Sequence, residues 1–161
     1  MNVDYLIVGC GLAGISFAEK ALENNKSILV FDNQSQNSSL IAGGLYNPVI
    51  LKRFSSVWES EKQVILLNDF YNKIEQKLEA KFNYKKSILR KFFSVEEQNN
   101  WFSASDKPGL APFLSPKLIH DKISGIDSLF GYGKVLHTGY VDTAFLQKSY
   151  KNYLKTLNIL S

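Results

Sequence analysis

The chain has 161 residues, 45% of them hydrophobic and 21% charged, with a formal net charge of +4. That balance belongs to a soluble globular chain of one domain, or one and part of a second, and excludes an intrinsically disordered one. The mild positive surplus suits an anionic cofactor or substrate without specifying nucleic acid, and the single cysteine, Cys10, excludes an internal disulfide or a cysteine-based zinc site.

No run approaches the roughly 18 apolar residues that span a bilayer. Asp4 and the short apolar run Tyr5 to Val8 do not make a signal peptide. The sequence therefore predicts a cytoplasmic chain with no membrane partner. Val3 to Val8 is apolar and β-branched, the pattern of a strand buried on both faces. Gly11 to Asn25 carries apolar residues at helical spacing (Leu12, Ile15, Phe17, Ala18, Ala21, Leu22). Ser27 to Phe31 is a second buried strand closed by Asp32. Strand, helix and strand at this spacing predict a β-α-β crossover.

A polar loop, 33–39, leads to Leu40–Phe54, where paired glycines and a proline argue against a regular start. Ser56 to Phe82 predicts a long amphipathic helix with a stripe through Val57, Val64, Leu67, Tyr71, Ile74, Leu78 and Phe82. Ser87–Phe93 reads as a strand. Ser94 and Glu97 form a capping box opening a helix towards Phe102. Asp106–Pro116 is a loop, and Lys117–His120 and Gly133–Val141 read as short strands. Asp142 caps a last helix through Phe145, Leu146, Tyr150, Tyr153, Leu154 and Leu157. A further strand is due where the chain reaches Ser161.

Chemistry concentrates at Gly9-Cys10-Gly11-Leu12-Ala13-Gly14, a G-x-G-x-x-G between a strand and a helix. Gly9 permits the tight turn, Gly11 lets a pyrophosphate approach the backbone, and Gly14 lets helix and strand pack closely. Leu12 and Ala13 lie at the helix N-terminus, whose N–H groups and partial positive charge suit phosphates. Asp32 stands where the fingerprint requires an acid to accept the ribose hydroxyls, with Asn33 beside it. An acid there should repel a 2′-phosphate, which argues against NADP.

VDYLIVGCGLAGISFAEKALENNKSILVFD followed by SSLIAGGLYNPVILKRF resembles the FAD-dependent oxidoreductases of the D-amino-acid oxidase and glycine oxidase type. The second segment matches through Ser39, Ala42, Gly43, Gly44, Asn47 and Pro48. Fainter matches lie at Ile88–Arg90 with Ser94–Glu97, and at Gly139–Asp142 with Phe145-Leu146. The resemblance implies FAD as cofactor. Gly43, Gly44 and Asn47 would line the flavin side, and the reaction would oxidise a C–N bond of an amino acid or amine. It also implies an α/β fold: a Rossmann-like FAD-binding domain interrupted by a partial, mixed α+β substrate domain. Residues 1–55 would form the first cofactor segment, 56–141 the partial substrate domain, and 142–161 a helix returning to the cofactor domain. Members of that family run on considerably further, so the resemblance implies a fragment of a longer enzyme or a truncated product.

Two other readings stay open. An oxidase of tRNA wobble-uridine modification belongs to the same family, and the basic run Lys81, Lys85, Lys86, Arg90 and Lys91 could meet RNA, although a solvated face is the plainer reading. A non-catalytic remnant or binding module is the other. Lys52-Arg53 could meet an anionic substrate or the flavin pocket. Cys10 reads as a small structural residue without a redox partner. His120 and His137 have no carboxylate cluster at metal-ligand spacing, and Trp58 and Trp101 read as core or interface aromatics. No catalytic acid, base or nucleophile stands out.

Overall fold

The computed structural model describes residues 2–33, 38–121 and 123–161. In chain order the elements are β1 (Tyr5–Val8), α1 (Leu12–Glu23), β2 (Ile28–Phe31), α2 (Ser38–Ile41), β3 (Leu45–Tyr46), β4 (Val49–Ile50), β5 (Ser55–Ser56), α3 (Ser60–Leu78), β6 (Asn83–Lys85), β7 (Ile88–Lys91), α4 (Val95–Ser105), β8 (Leu114–Ile119), β9 (Tyr132–Val135), β10 (Gly139–Val141) and α5 (Thr143–Thr156). The packing divides this mixed α/β chain into two units. One is Met1–Gly44, Asn72–Asn83 and Val141–Ser161; the other is Leu45–Tyr71 and Tyr84–Tyr140. These lines differ from the cuts near residues 55 and 141 that the sequence suggested. The reason is that α3 is a single covalent rod whose C-terminal part carries side chains paired within the first unit, a partnership no local pattern announces.

In the first unit β1 and β2 run parallel, with Tyr5 opposite Ile28 and Val8 opposite Phe31, and α1 joins them. The chain end extends the sheet on the other side of β2. Val30 N–H donates to Ile159 O at 2.8 Å, and Ser161 N–H donates to Val30 O at 2.8 Å, making a parallel bridge at Leu160. Where a strand was expected near Ser161, the described residues show this one bridge. Strand side chains alternate across the sheet. Ile7, Ile28 and Val30 are buried, and α1 packs on both strands and on α5. Leu6, Val8 and Phe31 point the other way and are 65%, 87% and 43% exposed. This corrects the expectation of strands buried on both faces: an apolar run reports what a strand can bury, while a second covering layer has to be supplied by other chain.

Helix ends follow their local chemistry. Asp142 Oδ1 accepts from Phe145 N–H at 2.9 Å, and Leu146, Tyr150 and Leu154 form the buried stripe of α5. The expected helix 56–82 is shorter, because Glu59 (φ 47°) and Glu79 (φ 48°) leave the helical region at either end of α3, and Ser55–Ser56 pairs as β5 with β4.

The second unit holds an antiparallel sheet in the order β7-β9-β8. Its core gathers Val49, Phe92, Trp101, Leu110, Phe113, Leu114 and Val135. Trp101 is fully buried and satisfies its indole by donating to Ser115 O at 2.9 Å; Trp58, by contrast, is 77% exposed. The capping box is present in shifted form. Ser94 Oγ accepts from Glu97 N–H at 3.2 Å, while Glu97 Oε2 accepts from Phe93 N–H at 2.9 Å, one residue ahead of the cap. The single strand expected over Gly133–Val141 is two, β9 and β10, separated by His137 at φ 56°. β10 pairs antiparallel with β3, placing Gly139 opposite Tyr46. Among the described residues no helix is long and apolar enough to cross a membrane.

Candidate dinucleotide site

The glycine motif forms the turn between β1 and α1. Gly9 takes φ +94°, and its N–H donates to Phe31 O at 2.7 Å, so the turn is tied to the last residue of β2. Gly14 allows the close approach: a Cβ there would lie 2.0 Å from Gly9 O. The loop therefore folds back on the first turn of α1 at a distance that a side chain forbids. Helix α1 opens at Gly11 with no side-chain cap. Its first N–H groups, Leu12 and Ala13 included, are the polar end at which an anion is stabilised.

Gly11 is less open than expected. A Cβ there would meet Ser39 Oγ at 3.2 Å, and the same oxygen accepts from Leu12 N–H at 3.4 Å. Ser39, in α2, thus places a hydroxyl over the helix end and takes the first of its amide hydrogens. A phosphate oxygen arriving there would meet that hydroxyl as well as the backbone amides. The segment that follows is strapped to the start of α5. Thr143 Oγ1 donates to Ala42 O at 3.4 Å and Val141 N–H donates to Gly44 O at 3.0 Å.

Asp32 stands just past β2, one residue beyond the bond to Gly9. Its N–H donates to Ser161 O at 3.0 Å, and its Oδ2 is paired with Lys151 Nζ from α5. Asn33 follows it, immediately before residues 34–37, which lie outside the described set. Cys10 is 1% exposed. Burial pushes its thiol up to about 11; the nearby Lys151 pulls it down and Asp32 pushes it up, so burial prevails. A thiol so buried and so raised is a weak nucleophile, which fits the small structural role expected of it.

The first unit thus brings together Gly9, Gly11, Leu12, Ala13, Gly14 and Asp32, and also holds Gly43 and Gly44. Asn47 belongs to the second unit, where its Oδ1 accepts from Val49 N–H at 3.0 Å and caps a local turn. Sequence reasoning missed Lys151 altogether. Its neighbours Tyr150 and Leu154 carried the signal, since their burial fixes which way that turn of α5 faces.

The remaining candidates are accounted for locally. Among the described residues no group of three His, Cys, Asp or Glu side chains could hold a metal. In the basic run, Lys81 pairs with Glu75 at 2.7 Å, Arg90 pairs with Glu97 at 3.4 Å and lies over the Phe54 ring, and Lys91 lies over Phe93. Lys81, Arg90 and Lys91 thus have partners within the fold, and Lys85 and Lys86 are exposed. Lys52 and Arg53 are exposed in a turn closed by Arg53 N–H to Ile50 O at 3.0 Å.

No protein-family model matches the chain. Solved structures do. Glycine oxidase from Geobacillus kaustophilus superposes with a TM-score of 0.71 at 13% identity, covering 99% of this chain and 45% of that one. L-amino acid deaminase from Proteus vulgaris gives 0.69 at 16% identity, covering 99% of this chain and 39% of its own. Dithionite-reduced L-alpha-glycerophosphate oxidase from Mycoplasma pneumoniae, solved with FAD bound, gives 0.57 at 15% identity, covering 100% of this chain and 44% of that one. These comparisons lend no support to the tRNA-modifying reading. The chain spans less than half the length of each of these structures, and at such identities what it shares with them is the fold.

Proposed function

We propose that this chain binds FAD through its adenosine diphosphate half, as the Rossmann-like part of an oxidoreductase acting on a C–N bond of an amino acid or amine. The observation that carries the reading is the N-terminus of α1, which its own N-cap residue Gly11 leaves without a side-chain cap, at a glycine turn tied to β2, with the Asp32 carboxylate one residue from that tie. Gly9, Gly11, Leu12, Ala13 and Gly14 would hold the diphosphate through backbone amides, with the Ser39 hydroxyl adding a contact. Asp32 would orient the adenosine ribose, with Asn33 at its side. Gly43 and Gly44 would border the flavin. Bound there, the flavin would supply the two-electron acceptor for C–N oxidation, and the protein would bind, orient and shield it.

The fold shared with a glycine oxidase and an amino-acid deaminase supports the substrate class, and the FAD in the glycerophosphate oxidase supports the cofactor. Titration of the purified chain with FAD tests the reading. Quenching of flavin fluorescence, with yellow colour retained after desalting, is the expected result. A chain that stays colourless at tens of micromolar FAD overturns it. Uptake without turnover of any D- or L-amino acid would leave the chain a flavin-binding module.

A further inference from the structure

We propose that Lys151 is a nucleotide-binding residue, a role that rests on the cofactor reading above. Its ammonium neutralises Asp32 so that a carboxylate fit for ribose hydroxyls can stand beside a loop fit for a diphosphate. Lys151 Nζ pairs with Asp32 Oδ2, and the two side chains are 21% and 13% exposed, sunk but still reachable by a ligand. The pair is held from three sides. Asp32 N–H is bonded to Ser161 O, the preceding residue Phe31 is bonded to Gly9 N–H, and Lys151 lies on α5 between Tyr150 and Leu154, both fully buried. Their burial fixes the rotation of the helix, so the lysine stem leaves α5 on the side of Asp32.

The chemistry follows from charge. A carboxylate that accepts ribose hydroxyls is a like charge to a diphosphate bound at the adjacent turn, and in a partly buried site that repulsion is weakly screened. An ammonium beside the carboxylate offsets that repulsion, and a carboxylate accepts more than one hydrogen bond at once. The same ammonium adds attraction for the phosphates. Lys151 should therefore favour a charged adenosine ligand and contribute little to an uncharged one.

The experiment titrates ADP and adenosine against the whole chain, wild type and Lys151→Met, by ligand-observed NMR. Lys151→Met is expected to weaken ADP about tenfold, which is about 1.4 kcal/mol, and adenosine less than about twofold by the charge argument. Lys151→Arg should restore most of the ADP affinity. Equal losses for both ligands, or no loss for either, in a variant with the wild-type circular dichroism spectrum would overturn the proposal. If Lys151→Met does not fold, the neutral pair D32N/K151M is compared with D32N, and the same difference between ADP and adenosine decides. Wild-type chain that takes up FAD while Lys151→Met binds ADP normally sinks the lysine alone. Wild-type chain that binds neither FAD nor ADP sinks the cofactor reading and this one with it.

Discussion

The Tyr150 hydroxyl donates to Glu19 Oε2 at 2.8 Å, linking α5 to α1 across 131 residues of chain. Both side chains are essentially fully buried, and the other Glu19 oxygen, Oε1, is paired with Lys77 from α3. Burial, reinforced by the Glu19 charge, pushes the Tyr150 phenol far above its ordinary range, so it remains a donor. Helices α1 and α5 and the C-terminal part of α3 thus meet on one carboxylate. Tyr150→Phe should cost about 1–3 kcal/mol, the price of a buried oxygen losing a partner. Glu19→Ala should cost more, about 3–5 kcal/mol, because it leaves the lysine and the phenol unmatched together. Urea denaturation of the variants checks both. A loss below about 0.5 kcal/mol, the range of an ordinary surface change, would show that the network contributes nothing.

That network marks the limit of what the sequence discloses. The glycine turn, the strands on either side of α1, and the Ser94 and Asp142 caps are written in short stretches of chain, where spacing and capping chemistry act locally. So is the stripe Leu146, Tyr150, Leu154. Glu19 is different. On a helix surface a glutamate ordinarily faces water, and only partners 58 and 131 residues away make its burial tolerable. Lys151 is hidden for the same reason, since its partner Asp32 lies far off in the chain. The exposure of Leu6 and Val8 could not be read either, because an apolar strand does not say whether its second face will be covered.

The glycines of the candidate site differ in how strictly they are required, which separates sterics from motif matching. At Gly14 a Cβ would sit 2.0 Å from Gly9 O, and at Gly44 (φ +64°) it would sit 2.0 Å from Val141 O. Backbone on both sides leaves no cheap relief. At Gly43 nothing lies within 4 Å of the added carbon and φ is not in the left-handed region. Gly14→Ala and Gly44→Ala should each lose at least about 1–3 kcal/mol, as overpacked sites do, and Gly14→Ala should also lose FAD uptake. Gly43→Ala should stay within about 0.5 kcal/mol of wild type. Thermal unfolding in parallel with flavin titration reads all three; a Gly14→Ala chain with normal stability and uptake would contradict the close approach.

Glu75 should govern part of the acid limb of stability. Its Oε1 accepts from Phe82 N–H at 2.9 Å and Asn83 N–H at 2.7 Å, and its Oε2 takes Lys81 at 2.7 Å, closing the turn after α3. Burial works to raise its pKa, but the Lys81 ammonium and the two backbone amides together outweigh burial and hold the carboxyl below its ordinary 4.5. A depressed folded value means the unfolded chain takes up the proton first. The stabilisation is therefore complete above 4.5 and is lost as pH falls through the lower folded value. Glu75→Gln should be less stable than wild type by about 1–3 kcal/mol near neutrality. The two should converge in acid. A constant gap across pH 3–7 in urea titrations would show that the charge is not what matters.

Cys10 should be silent to thiol reagents for as long as the chain is folded. It is 1% exposed within the turn, and its thiol, pushed by burial to about 11, is almost wholly protonated at pH 8, where the thiolate is the reactive form. Ellman's reagent should find no thiol in native chain and one in urea. The sign of the pH effect follows from the raised folded value. The contribution is intact below the unfolded value of 9.0 and is lost as pH climbs towards about 11, because the unfolded thiol ionises first. Cys10→Ala should remove that part of the alkaline decline and leave the remainder. Rapid labelling of native chain at pH 8 would mean the turn opens far more readily than its bond from Gly9 to Phe31 allows, and the amide cradle proposed for the diphosphate would then not be preformed.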